Sequence, residues 1–290
     1  MRRRRKRKMG LVKSKSTSPN ATKDIQIMED LKYLPDELLL LILSWVPGRG
    51  LVRQCRLVCR KWRDLIDKPT LWRLQCERDP LAKPAVEAAA LGSSHIDWCR
   101  ISILRPFGRN LIKNPCGKNQ FQHWETENGG NGWKVEDNRD RVEGAEAQTC
   151  FVSSYEWCVK SQVVDLLQEG LGEELMDAFQ PDICIADWWG ARDDCGCIYK
   201  IKVDLLAADR TSVVSHFTAE PDGIPQWNNA KYQQVSHVFR NYGPGVRYIR
   251  FLHAGKDTQF WAGHYGARIT NSMVIVKFSL KPLGASTLAH

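Results

Sequence analysis

The chain has 290 residues, 43% of them hydrophobic, which is enough material for two compact units with cores of their own. Its net charge of +9 belongs to one end: ten of the 42 basic residues fall within 1–23, where no acid occurs, and the other 267 residues hold 32 basic against 33 acidic side chains. A neutral body argues against a specific nucleic-acid face, and no apolar run is long enough for a membrane-spanning helix.

Residues 1–30 are basic and then Ser/Thr-rich, with little apolar material, and are expected to be a disordered tail. Arg2 to Lys8 runs into polar sequence rather than an apolar stretch, so no secretory signal is read. The ten cysteines are then expected as reduced thiols in the cytosol or nucleus. Met9-Gly10-Leu11-Val12-Lys13-Ser14 fits the N-myristoylation pattern, with Gly10 as acceptor, on condition that Met9 initiates translation. Peripheral contact with the cytosolic face of a membrane would follow, helped by Lys13, Lys15 and Lys23. If Met1 initiates, Arg2 to Lys8 reads instead as a nuclear-import or polyanion-binding tail.

From Leu34 the pattern turns helical. Pro35 suits the first helical turn, Asp36 and Glu37 complement the positive end of the helix dipole, and Pro47 with Gly48 stops the element. The run Leu38 to Leu43 is apolar around its whole circumference and has to be covered on more than one side. Leu51, Cys55, Val58, Trp62, Leu65 and Ile66 follow at spacings of three and four, predicting a second helix with Cys55 and Cys59 as small core residues one turn apart. Pro69 breaks it, and Leu71-Trp72 opens a third, short helix. A helical linker follows over 79–104, Ala-rich between Pro84 and Leu91.

After Pro106 the texture becomes β. Cys197, Tyr199, Ile201, Val203 and Leu205 alternate with Ile198, Lys200, Lys202, Asp204 and Leu206, as in a half-buried strand. Further strands are expected at Thr149–Cys158, Ile183–Trp189, Ser212–Thr218, Gln233–Arg240, Val246–His253 and Ile269–Phe278. One helix interrupts them, with Val163, Leu166 and Leu167 on a single face. Turn signals lie at Asn128 to Gly132, Pro221-Asp222-Gly223 and Gly243-Pro244-Gly245. This density of short strands predicts an antiparallel β-sandwich over 105–279 and a tail at 280–290, so the fold class is α+β.

Chemistry-bearing spacings are missing. Cys195 and Cys197 have no second CxxC or His pair, no H-E-x-x-H or G-x-S-x-G occurs, and no GK(S/T) follows the glycines at 129, 130 and 132. We therefore expect no catalytic residue, no metal site and no cofactor. Of Trp188 and Trp189, one ring should enter the core and the other face outward. Asp187 reads either as a turn cap or as a ligand, and Asp194 as a turn residue before Gly196. Trp261, taken by itself, reads as core.

Leu34-Pro35-Asp36-Glu37-Leu38-Leu39 through Ile42-Leu43 to Val46-Pro47 resembles the first helix of an F-box. Cys55-Arg56-Leu57-Val58-Cys59-Arg60-Lys61-Trp62-Arg63-Asp64-Leu65 is similar to the rest of that motif. So short a domain cannot bury this apolar density by itself and needs a partner surface. The resemblance implies a three-helix F-box at 31–78 that docks the Skp subunit of a cullin ligase complex through Leu34, Pro35, Leu38, Leu39 and Ile42.

From Arg105 to Phe278 the chain is similar to the F-box-associated domain of the sugar-recognising F-box family. The matching stretches are Gly108 to Ile112, Asn128 to Trp133, Ala186 to Arg192, Ile224 to Trp227 and Asp257 to Gly263. What this implies is a non-catalytic adaptor whose end loops grip the inner N-acetylglucosamine pair of N-linked high-mannose glycans on misfolded glycoproteins. Carried over by position, the sugar site is Asp194, Phe260, Trp261 and the backbone around Ala262. Glycan-binding relatives commonly have Tyr at Phe260, some have Lys at Ala262, and many have Trp at His264. The alternatives are an adaptor reading a protein surface without sugar, or a lectin acting outside a ligase.

Overall fold

A computed structural model describes residues 33–90 and 95–278 of the chain. The basic segment 1–30 with Gly10 and the segment 280–290 lie outside the described residues. The chain divides into two compact units at Leu71/Trp72.

In the first unit, α1 (Asp36–Leu43) starts after Pro35, which stands at the N-cap with φ −52° and ψ 149°, one residue earlier than expected. Proline is pre-set for this role because the missing N–H would have had no helical partner. Leu39 and Leu43, one turn apart, are buried, while Leu38, Leu41 and Ile42 on the remaining circumference are exposed. Gly48 does not stop the chain: it begins α2 (Gly48–Arg53).

The single helix expected from Leu51 to Ile66 is three pieces: α2, a 3₁₀ turn at Cys55–Leu57, and α3 (Arg60–Ile66). Leu51, Trp62, Leu65 and Ile66 are buried within their own pieces, so the spacing of three and four ran across a break. Cys59 is extended (φ −158°, ψ 170°) as the N-cap of α3. It does not sit one turn above Cys55, and both thiols are half-buried rather than core. Lys61 ties α3 to the start of α1, donating to the Leu34 carbonyl (2.7 Å) and pairing with Asp36 (3.2 Å).

Pro69, expected only as a breaker, opens α4 (Pro69–Arg78) from its first position. In the second unit α5 (Lys83–Ala89) and α6 (Trp98–Leu104) follow. Asp97 caps α6 by accepting from the Arg100 N–H. Ser102 donates to Gln75 at 2.5 Å and Arg105 pairs with Asp79 at 3.0 Å, which fastens α6 to the C-terminal half of α4.

Two antiparallel five-stranded sheets then form the sandwich. One has β1 (Glu125–Glu127), β4 (Cys158–Asp165), β9 (Tyr248–Asp257), β6 (Cys197–Leu206) and β7 (Val213–Ala219) in that spatial order. The other has β2 (Lys134–Asp137), β3 (Thr149–Val152), β10 (Arg268–Lys277), β5 (Asp182–Gly190) and β8 (Gln233–Phe239). The strand expected at Thr149–Cys158 is in fact β3 of one sheet and the start of β4 of the other, joined by residues 153–157. Val163, expected on a helix, lies in β4 facing solvent. The helical segment is a single turn, α7 (Leu166–Glu169), followed by α8 (Glu173–Phe179).

Trp189 is fully buried and Trp188 half-buried, as the alternation of a strand requires. Trp189 of β5 stacks on Tyr199 of β6 across the two sheets, centroids 5.0 Å apart. Asp187 is neither a turn cap nor exposed: it is fully buried in mid-strand. Its carboxylate accepts from Tyr199 Oη (2.6 Å) and Ser272 Oγ (2.8 Å) and contacts His253 Nδ1 (2.5 Å). Lys160 is buried nearby, its ammonium 3.4 Å from the centroid of Trp124 and 3.7 Å from that of Phe151.

The topology has one consequence for function. The connections β1–β2, β3–β4, β5–β6, β7–β8 and β9–β10 all cross from one sheet to the other, and strand directions place all five at the same end of the sandwich.

Candidate functional site

The loop between β9 and β10 is shaped by the last residue of β9. The buried Asp257 carboxylate accepts from the backbone N–H of Phe260 (2.6 Å) and of Trp261 (3.2 Å). This local turn holds Phe260 in the left-handed region at φ +59°, a conformation that costs a bulky residue on the order of 1 kcal/mol or more. The result is an exposed Phe260 followed by a half-exposed Trp261, at 69% and 44% of full accessibility.

Neighbouring loops are stapled to it by hydrogen bonds. Gly196 of the β5–β6 loop donates to Gln259 Oε1 (2.9 Å) and accepts from the Thr258 N–H (3.1 Å). A side chain at Gly196 has no room, since its Cβ would lie 2.7 Å from the Ile224 carbonyl. Asn131 of the β1–β2 loop accepts from the Gly263 N–H (2.8 Å), and Ser154 of the β3–β4 loop donates to the Gly263 carbonyl (2.6 Å). Asn228 of the β7–β8 loop donates through one amide to the carbonyls of Arg192 (2.7 Å) and Cys195 (2.9 Å). Five separate stretches of sequence thus make one platform.

Of the residues expected at the site, Trp261 and Asp194 are linked through two side chains that the sequence reading missed. Trp261 meets Tyr265 edge-on at 6.1 Å, the Arg192 guanidinium lies 5.1 Å from the Tyr265 ring, and Arg192 grips Asp194 with two hydrogen bonds of 2.9 and 3.1 Å. That grip holds the Asp194 carboxyl below its ordinary pKa, so it remains an ionised acceptor. The Cys195 thiol, buried and bonded to Asp194, is pushed up to about 12 and is inert as a nucleophile. Asp194 does lie in the turn before Gly196, with Arg192 bound to its carboxylate, and Trp261 is half-exposed rather than core.

Phe260 turns the other way, edge-on to Tyr155 at 5.0 Å. Both line a cleft of about 550 Å³ together with Glu156, Trp157, Ile198 and Lys256. Trp157 carries the ammonium of Lys200 at 4.4 Å and that of Lys256 at 5.3 Å from its ring. Ala262 is exposed and has no side-chain group that can hydrogen-bond. Nothing in the local sequence signals Tyr155 or Tyr265, because each acts through a ring contact with a distant residue. Arg192, two positions before its partner, was the one legible clue. Among the described residues no group of three His, Cys, Asp or Glu side chains is placed to hold a metal.

In the first unit, Pro35, Leu38 and Ile42 of the expected docking set are exposed and Leu34 is half-buried. Leu39 has to be corrected: it is fully buried beneath α1 and supports that surface without facing a partner. Leu41, Trp45 and Leu57 add exposed apolar area that the expected set left out.

Comparison with known proteins finds two matching regions, the first of which runs a few residues past the Leu71/Trp72 boundary. The chain matches the model of the F-box associated region over residues 102–276 and the F-box-like model over 31–78. It is 49% identical to F-box only protein 17 of Homo sapiens over 261 residues, 86% of this chain and 94% of that protein. It is 49% identical to F-box only protein 27 of Mus musculus over 277 residues (93% and 99%), and 45% identical to F-box only protein 6 of Homo sapiens over 273 residues (91% and 89%). Among solved structures, TmCBM61 in complex with beta-1,4-galactotriose is similar over 59% of this chain and 100% of that one, at 14% identity and a TM-score of 0.40. The chain belongs to the F-box only proteins, as an F-box joined to an F-box associated region.

Proposed function

We propose that this chain is the substrate-recognition subunit of a Skp–cullin–F-box ubiquitin ligase, and that its loop platform reads the inner N-acetylglucosamine pair of N-linked high-mannose glycans on misfolded glycoproteins. The adaptor role follows from the family: an F-box implies docking to the Skp subunit and the cullin complex. The chain supplies proximity, turning an encounter between substrate and conjugating enzyme into a tethered one.

The observation that carries the sugar reading is the exposure of Phe260 and Trp261 on a loop fixed by Asp257, with the Arg192-bound Asp194 alongside. An indole face matches the C–H side of a pyranose. After binding Arg192, the Asp194 oxygens keep lone pairs for a hydroxyl or amide N–H. Phe260 and Tyr155 form an apolar wall suited to an acetyl methyl.

The test is titration of a chitobiose-containing ligand. Trp261→Ala should weaken binding by roughly 2–4 kcal/mol, as loss of a stacked anchor does. Phe260→Tyr should strengthen it by about 0.5–1.5 kcal/mol through one added hydrogen bond. Absence of binding by the wild type at millimolar ligand overturns the sugar reading and leaves recognition of a protein surface.

A further inference from the structure

Trp227 is the most exposed tryptophan of the second unit, at 78% of full accessibility. Its indole has no hydrogen bond and no ring contact among the described residues. The peptide beneath it is held in the left-handed region at φ +62°, which a bulky side chain seldom adopts. Loops normally turn such a residue inward or replace it, so a force elsewhere must hold this geometry.

Asn228 supplies it. Besides the bonds to Arg192 and Cys195, its amide donates to the Pro225 carbonyl (3.0 Å), and its N–H donates to the Asp193 carbonyl (3.0 Å). On the other side, Ile224 exchanges two backbone bonds of 2.9 Å with Cys197. The β7–β8 loop is thus clamped at both ends of Trp227 onto the β5–β6 loop, which carries Asp194. The same β5–β6 loop is joined through Gly196 to Thr258 and Gln259 of the loop that carries Trp261, so both tryptophans belong to loops held by one neighbour.

The surroundings indicate what the ring meets. Its chain neighbours Pro225 and Asn228 line a depression of about 570 Å³ together with Asp222, Asn229, Lys231 and Gln233, and the indole itself is not one of the walls. One acid, one base and neutral amides make a surface without net charge, able to donate and accept at once. Asn229 spends its carbonyl oxygen on the Lys231 N–H (3.1 Å) and keeps its NH₂ for a ligand. An exposed indole on a loop whose flanking surface is neutral and rich in amides suits an uncharged polyhydroxyl ring better than an ionic partner.

We infer that Trp227 is a second stacking platform, which takes a neutral pyranose further along the oligosaccharide whose inner pair sits at Trp261. This rests on the sugar reading above, and the experiment separates the two. The full chain is titrated with two ligands, chitobiose alone and an intact high-mannose oligosaccharide carrying it. Trp227→Ala should leave chitobiose binding unchanged and weaken the longer ligand by about three- to tenfold, while Trp261→Ala weakens both. Trp227→Asn, which suits the left-handed peptide, should match Trp227→Ala and so separate loss of the ring from distortion of the loop. Trp227→Phe should retain part of the affinity. If Trp227→Ala binds the longer ligand as tightly as wild type, the inference is overturned. That holds also where capture of a glycoprotein falls, since Trp227 would then be reading polypeptide. Wild type that binds neither ligand overturns the sugar reading itself.

Discussion

Asp187 is met by Tyr199, Ser272 and His253 inside the sandwich, and no water reaches it. An amide in its place would turn an NH₂ toward groups that themselves donate. We expect Asp187→Asn to destabilise the second unit by roughly 2–4 kcal/mol, read from the midpoint of urea unfolding. An unchanged midpoint would show that the network is not taut. Lys160, in the same core, is a liability of the opposite kind. Burial drives its pKa well below the ordinary value near 10.5, against the opposing pull of Asp187. Below that ordinary value the unfolded chain binds a proton that the folded core resists, so stability rises with pH. Lys160→Met should therefore raise the unfolding midpoint at pH 7, with a gain that shrinks toward about pH 10.5. His253 acts with the same sign in a lower window. Burial first, then the charge of Lys160, brings its pKa to about 4. The His253 contribution to stability should fall as pH drops from about 6.5 toward 4 and be constant below, where a His253→Phe variant no longer differs from wild type in its pH slope.

At the scale of elements, what could be read from the sequence depended on whether an element had one dry face. β6, between β9 and β7, alternates from Cys197 to Val203 because Cys197, Tyr199, Ile201 and Val203 are buried while Ile198, Lys200 and Lys202 are not; at its end the period is lost, since Asp204 and Leu206 are buried along with Leu205. β1 and β2 are too short, at three and four residues, to show any period, and neither was anticipated. The stretch Thr149–Cys158 misled for another reason: Ser153 and Ser154 are buried like strand residues while the chain changes sheets. Helical spacing at Leu51–Ile66 failed likewise, since apolar residues of three separate pieces fell into one apparent register. The site was less legible than the fold. Asp194, Phe260 and Trp261 came from family resemblance, and only the fold brings Tyr265 and Arg192 between two of them and sets Phe260 against Tyr155. Trp227 stood in a matching stretch, yet its exposure depends on Asn228 reaching carbonyls of another loop.

For the whole molecule, the adaptor role requires that the F-box surface be separable from the F-box fold. Leu34 and Pro35 lie at the rim of α1, and replacing both by Ala should abolish co-purification of the Skp subunit while each unit stays folded. Leu39 is a control with a different outcome. Being fully buried, Leu39→Ala should cost about 2–5 kcal/mol of stability and impair capture only by unfolding the first unit. Undiminished Skp capture by the Leu34/Pro35 double variant would contradict the docking assignment.

The stapling of five loops also bears on how recognition is tuned. The bonds from Asn131, Ser154, Gly196, Asn228 and Gln259 run mostly to backbone atoms, and none of them uses the side chain of Tyr155, Trp227, Phe260 or Trp261. Those tips are thus interchangeable parts on a fixed mount. Grafting a different aromatic set should change the ligand without refolding the sandwich, which gives a physical route by which a single scaffold acquires divergent clients.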